Sequence, residues 1–210
     1  MIQFSLANRV AVVTGAGGGY GRAVALALGA AGARVAVNDI NPDGAQRTAV
    51  EIMDAGGTAV AYAADVSNKL GLQTMFYSIL EKWERIDILV NAAVVRPQAT
   101  LLKCDEYEWD RCVGVNLKGV FLCTQTAVRA MASTGGGTVI VLQADGQRAG
   151  SVAYAASVAG LEGFVAGAAR ELAGSPVRVE LLAADGAPAA VAASVLQACA
   201  MAAVSVGAIA

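Results

Sequence analysis

The residue types that could do chemistry in this chain are few. None of its 210 residues is a histidine, which removes Ser-His-Asp and Cys-His catalysis and every His-ligated metal site. Chemistry has to come from Tyr, Lys, Ser, Asp, Glu, Cys or a bound cofactor. The four cysteines, Cys104, Cys112, Cys123 and Cys199, are widely spaced with no C-x-x-C. Zinc and dithiol redox readings fail on that spacing, and buried free thiols in a reducing cytoplasm are expected. One segment has the pattern of a binding site. Thr14-Gly15-Ala16-Gly17-Gly18-Gly19-Tyr20-Gly21 is a glycine-rich turn, and glycines let a pyrophosphate approach backbone amides and a helix N-terminus. Asp39 follows at close to the ~20-residue spacing of a ribose-binding acid. A carboxylate there accepts a hydrogen bond from the 2′-hydroxyl of NAD and repels the 2′-phosphate of NADP. No arginine or lysine stands in the turn or just after Asp39 to offset that repulsion. The turn therefore predicts an NAD site, with NAD preferred over NADP.

Such a turn works only between a strand and a helix, and the chain supplies both. Residues 9–14 are a short β-branched run that reads as a buried strand, and 20–31 read as an alanine-rich helix stopped at Gly32. Strands are expected at 34–39, 58–63, 87–91, 138–142 and 176–182, with a short last one at 204–209. Helices are expected from Asn41-Pro42-Asp43 to about Ala55, over 67–83 with Ser67 as its cap, and over 106–115, 117–132, 152–173 and 189–203. Strands alternate with helices, and most strands are apolar on both faces. That predicts an α/β fold: a doubly wound, Rossmann-type parallel sheet of about seven strands with helices on both faces. No linker or repeat interrupts it, so residues 1–210 read as one nucleotide-binding domain.

Composition narrows the partners. Fifteen basic and 17 acidic groups leave a net charge of -2, which argues against nucleic acid, whose binders show a basic excess. With 56% hydrophobic and 15% charged residues, the chain is built to fold. The N-terminus has no long apolar stretch of the secretory kind. Residues 187–210 carry no charge and are long enough to span a bilayer. They are mostly small, with Pro188 and Gly207 inside, and are expected to be a buried helix and strand; no membrane association is expected.

Here the chain resembles the short-chain dehydrogenase/reductase family, essentially from end to end. Thr14 to Gly21 matches its T-G-x-x-x-G-x-G turn, with Tyr20 where Ile or Leu is usual. Asp65-Val66 matches an acidic-apolar pair that in the family contacts adenine. Residues 87–91, ending at Asn91, match the strand leading into its N-N-A-G motif. Asn116, within Val115-Asn116-Leu117-Lys118-Gly119, matches the active-site asparagine, and Tyr154 matches the tyrosine of Y-x-x-x-K. The resemblance implies cofactor binding by Thr14, Gly15, Gly19, Tyr20, Gly21, Asp39, Asp65, Val66 and Asn91, with Tyr154 and Asn116 as residual catalytic positions.

The departures fall on one half of the implied site. Ala92-Ala93-Val94 stands for Asn-Ala-Gly, so a valine replaces a glycine close to the cofactor, where a clash or strain is expected. The serine position is Ala144 and the lysine position is Val158. Asp185-Gly186 replaces Pro-Gly. Ala187-Pro188-Ala189-Ala190 stand where a threonine holding the nicotinamide amide is expected, and the substrate lid after Gly186 is expected to be deleted. The family's lysine lowers the tyrosine pKa; without it a tyrosine near pKa ~10 is only about 0.1% ionised at pH 7. Losing one oxygen-stabilising donor typically slows the reaction about 10²- to 10³-fold. The favoured expectation is a pseudoenzyme: a cytoplasmic NAD-binding subunit in a homo- or hetero-oligomer, dimer or tetramer, with a paralogue through helices 117–132 and 152–173. The alternatives are an active NAD-dependent alcohol or 3-hydroxyacyl dehydrogenase, with Lys118, Arg148 or Arg170 in the lysine's role, and a non-catalytic NAD sensor.

Overall fold

The computed structural model describes residues 5–143 and 151–206, and side chains as far as residue 200. Six parallel strands make one sheet: β1 Val10–Val13, β2 Arg34–Asp39, β3 Thr58–Ala63, β4 Ile88–Asn91, β5 Gly137–Gln143 and β6 Val177–Ala183, in the order β3-β2-β1-β4-β5-β6. Because β1 lies between β2 and β4, the winding reverses there. The crevice outside the strand C-termini at that point is where ligands bind in sheets of this kind.

The helices are α1 Gly19–Ala30, α2 Pro42–Asp54, α3 Lys69–Trp83, α4 Glu106–Val113, α5 Val120–Ser133, α6 Val152–Glu171 and α7 Pro188–Val206. Strand alternation assigns each layer. Ala11, Val13, Val35, Val37 and Val90 face α1, α2 and α7, packing on Val24, Leu28, Ile52 and Val195. Val10, Val12, Leu89, Val139 and Val141 face α3, α5 and α6, packing on Phe76, Ile79, Met131 and Leu161. Both faces are covered, as a parallel sheet requires. By length and composition α6 could cross a membrane, but Leu161 and Val165 belong to the core.

Three expectations are corrected. The sheet has six strands rather than seven. Residues 204–206 extend α7 instead of opening a strand, since an alanine-rich helix gains one hydrogen bond for each residue added; residues 207–210 lie outside the described residues. Ser67 is not the cap of α3. Asn68 is, its Oδ1 accepting from the amides of Leu70 and Gly71 at 3.1 and 3.2 Å, while the Ser67 hydroxyl donates to Asp65. The two helices expected at 106–115 and 117–132 run into one another through a π-helical segment, Gly114–Gly119. By contrast, Asn41 caps α2 as expected, accepting from Asp43 and Gly44.

The connection after β6 is short. The strand ends at Ala183 and α7 begins at Pro188, so residues 184–187 are all that stands between them, and no lid lies there. Instead α7 packs on α1, with Val191, Ala192, Val195 and Cys199 buried.

Candidate functional site

The glycine turn is built by close approaches that exclude side chains. Gly15 has φ +63°, and a Cβ there would lie 2.6 Å from the Ala93 Cα. A Cβ on Gly21 would lie 2.3 Å from the Gly15 carbonyl oxygen, so α1 starts pressed against the turn. Thr14, 1% exposed, fixes the other wall: its Oγ1 accepts from the amides of Ala92 and Ala93 at 3.1 and 3.2 Å. The turn and the segment after β4 are thus one unit. Gly18 and Gly19 are exposed at the N-terminus of α1, with open space around both, which suits an anion approaching free helix amides.

Asp39, half-buried at the end of β2, accepts from the Gly17 amide through Oδ2 and from the Asn41 amide through Oδ1, both at 2.9 Å. It couples the turn to the cap of α2. Asn38 beside it is fully buried and donates to the carbonyls of Tyr62 and Ala64, which ties β2 to the end of β3. Asp65 Oδ1 accepts from the amide and hydroxyl of Ser67 at 2.8 and 2.7 Å, so the segment carrying Val66 is held in a turn. Asn91 is 3% exposed and donates to Thr124 Oγ1. Gly15, Asp39, Asp65, Val66 and Val94 line one cavity of about 650 Å³ at the crevice, together with Tyr107, Asp110 and Arg111. Val94 adopts no left-handed φ. The expected backbone strain is absent there, and its half-exposed side chain forms part of the cavity wall.

The other half of the crevice has a different character. Tyr20 reaches from the start of α1 to the loop after β6, where its hydroxyl donates to the Gly186 carbonyl at 3.2 Å. Tyr154, in the first turn of α6, is 1% exposed in a small apolar cluster with Cys112, Ala153 and Val158. Ser151 caps α6 by accepting from the Tyr154 amide at 3.2 Å. The guanidinium of Arg96 lies 5.6 Å from the centre of the Tyr154 ring. Asn116 is consumed structurally. Its Oδ1 accepts from the Val95 amide at 2.8 Å, and its Nδ2 donates to the Val95 carbonyl at 2.9 Å and to Ser157 Oγ at 3.0 Å. Ser157 in turn donates to the Tyr154 carbonyl at 2.8 Å. This network holds the π-helical segment, α6 and the segment after β4 together.

Ala144 and Arg148 lie outside the described residues. Lys118 and Arg170 are exposed, and the cation the structure places on the Tyr154 ring is neither of them. Burial pushes the thiols of Cys123 and Cys199 up to about 12, and burial raises Cys112 despite its contact with Ser157. None of the three is a thiolate nucleophile at neutral pH. Asn38, Arg96 and Ser157 were not expected. Asn38 carried a signal, a polar residue at a buried strand position. Arg96 carried none, being one of 15 basic residues with its partner distant in sequence.

Residues 9–199 match the family model described as short chain dehydrogenase. The chain is 37% identical over 183 residues to a 3-oxoacyl-[acyl-carrier-protein] reductase of Synechocystis sp., covering 85% of this chain and 74% of that protein. It is 34% identical over 178 residues to a (2S)-[(R)-hydroxy(phenyl)methyl]succinyl-CoA dehydrogenase subunit of Thauera aromatica, covering 84% and 72%. Among solved structures it superposes on a metagenomic short-chain oxidoreductase in complex with NADP, with a TM-score of 0.88 and 33% identity over 93% of this chain and 92% of that one.

Proposed function

Since the chain belongs to the short-chain dehydrogenase family, we propose that it is a nucleotide-binding member without hydride transfer of its own, working as a subunit beside an active relative. The observation that carries this reading is the burial of Tyr154. A proton donor has to touch the reacting oxygen, and this tyrosine is 1% exposed in an apolar cluster that includes Val158, the residue at the lysine position.

The residues fit the adenosine and pyrophosphate half of a nicotinamide dinucleotide. Asp39 offers a carboxylate to a ribose, Asp65 and Val66 line the cavity beyond it, and the open space around Gly18 and Gly19 leaves the N-terminus of α1 accessible. A dinucleotide bound by the family supplies a hydride donor or acceptor at its nicotinamide ring. The carboxylate of Asp39 favours NAD over NADP, since no cation of the turn stands beside it to neutralise a 2′-phosphate. Residues 1–210 act in this reading as one nucleotide-binding domain.

The proposed assembly face is formed by α5 and α6, a homo- or hetero-oligomer being the expected state. Phe121 on α5 is 41% exposed and stands edge-on to Phe164 of α6 at 6.4 Å. Ala155, Ala156, Ala159, Gly163 and Ala166 of α6 are exposed, a smooth surface on which a second helix can approach closely. The likeness to a protein named as a dehydrogenase subunit supports a shared assembly. Four free cysteines, with three buried, support a reducing cytoplasm. The test is to capture the native protein from its host and assay NAD reduction with and without what is captured. A family dehydrogenase should accompany it and carry the activity. Turnover by this chain alone would reject the proposal.

One observation favours the second reading, an active NAD-dependent alcohol or 3-hydroxyacyl dehydrogenase. The guanidinium of Arg96 stands over the ring of Tyr154, the residue that matches the family's tyrosine, at 5.6 Å from its centre. In that reading Arg96, rather than the exposed Lys118 or Arg170, takes the lysine's part, and Arg96→Ala would abolish a measurable activity.

A further inference from the structure

The 650 Å³ cavity has one wall that neither the glycine turn nor the strand ends supply. Tyr107, Asp110 and Arg111 of α4 line it, and so does Val115 of the π-helical segment that continues α4. Residues three and four apart share a helix face. Tyr107, Asp110 and Arg111 therefore form one stripe, and Val115 carries it about a turn further.

This stripe is fixed to the rest of the cavity at both ends. Asp105 caps α4 by accepting from the Glu108 amide at 2.7 Å. Beyond α4, Asn116 bonds both the amide and the carbonyl of Val95, and a Cβ on Gly119 would lie 2.9 Å from Val66 Cγ2. Val95 and Val66 line the same cavity. The helix is thus tied to the segments after β3 and β4.

Its side chains are uncommitted. Tyr107 is a large aromatic residue, yet it is 71% exposed. Among the described residues, the side chains of Tyr107, Asp110 and Arg111 enter no hydrogen bond or ion pair. Tyr107 is also the one aromatic residue among the described residues that line the cavity, where Ile40, Val66 and Val94 add apolar surface. A flat heteroaromatic base gains from both kinds of contact. Arg111, one turn beyond Tyr107, offers a second planar group for stacking.

We propose that α4 supplies the base-binding wall of the nucleotide site: a purine base stacks on Tyr107, and the guanidinium of Arg111 extends the platform. This rests on the nucleotide-binding reading above and gives part of that site to residues that the resemblance does not imply. A purine covers more of the ring than a pyrimidine does, so Tyr107 sets a preference for ADP over CDP.

Calorimetry on the full chain with ADP and CDP tests it without any activity assay. The unaltered chain is expected to bind ADP about fivefold or more tighter than CDP. Tyr107→Ala lowers ADP affinity about tenfold and narrows the ADP-to-CDP ratio to about twofold. Tyr107→Phe, which keeps the ring, keeps both values. Arg111→Lys, which keeps the charge and loses the plane, lowers ADP affinity about threefold or more. Thermal unfolding of each variant separates lost binding from lost fold. On the unaltered chain ADP is also expected to slow amide hydrogen exchange across Glu106–Val113. Equal ADP affinity in folded Tyr107→Ala and the parent, equal losses in Tyr107→Ala and Tyr107→Phe, or no slowing in α4 would each overturn the inference while leaving the nucleotide site standing. No binding of ADP to the unaltered chain at millimolar concentration would overturn both readings together.

Discussion

Val158 carries more of the functional argument than any residue that is present for chemistry. It packs beside Tyr154, Ala153 and Cys112 at 8% exposure, so the position is closed to water as well as uncharged. Restoring the family's lysine by Val158→Lys would put an ammonium into that cluster, where desolvation disfavours the charged form. The variant is expected to unfold at lower temperature than the parent and to show no gain in carbonyl reduction. Gain of turnover would mean that the site is intact but for one charge. At the opposite end of the crevice Gly15 cannot change. Left-handed φ and a 2.6 Å approach to Ala93 act together there, so Gly15→Ala is expected to lose about 2–4 kcal/mol of stability in urea denaturation, with loss of nucleotide binding. The glycine spacing made Gly15, Gly21 and Asp39 legible in the sequence, because only backbone approach needs glycines so placed. The Tyr20 contact with Gly186 was not legible. Its partner is a backbone carbonyl far along the chain, and no pattern of residue types encodes such a contact.

At the scale of elements, hydrophobic period and turn chemistry placed most strands and helices, and β2 and β3 have the expected bounds, 34–39 and 58–63. The misreadings came where two local solutions compete. Ser67 and Asn68 are both good caps, and Ser67 lost the role because Asp65 takes its amide and hydroxyl. Asn68→Ala should therefore destabilise the protein by about 1 kcal/mol. Its thermal unfolding midpoint reads this out, and an unchanged midpoint would show that the cap is not used. The sequence predicts two separate helices where the π-helical segment joins them. Its cause is tertiary: Asn116 is drawn to Val95 and Ser157, and neither partner is near it in sequence. The missing lid, in contrast, was legible as a shortfall after Gly186, and α7 takes its place directly after residue 187.

For the molecule as a whole, Asp87 is an electrostatic node that joins the N-terminal strand to the centre of the sheet. Its side chain is 3% exposed and accepts from Arg9 at 2.8 Å, from Arg85 at 2.6 and 2.9 Å, and from the Val10 amide at 2.9 Å. Burial alone would raise its pKa. The hydrogen bonds from Arg85, Val10 and Arg9 outweigh burial, and the carboxyl is held below its ordinary value. A depressed folded pKa gives stability that is present above the unfolded value of ~3.9 and lost as pH falls through the folded one. Asp87→Asn should lower stability at pH 7 by about 2 kcal/mol, less than for a fully buried pair because the two arginines reach water. The gap between variant and parent should narrow in urea titrations run below pH ~4. A gap independent of pH would show that the charge is not what stabilises this node.

The same scale holds the central claim, that the fold and its adenosine half persist while hydride transfer is gone. A single-turnover measurement addresses it most directly. The purified chain, in excess over NADH, is mixed with a panel of 3-oxoacyl thioesters and simple ketones, and absorbance of the reduced nicotinamide is followed. The account predicts no oxidation above the enzyme-free control. Oxidation at a rate on the order of 1 per second, the low end of ordinary enzymes, would contradict it.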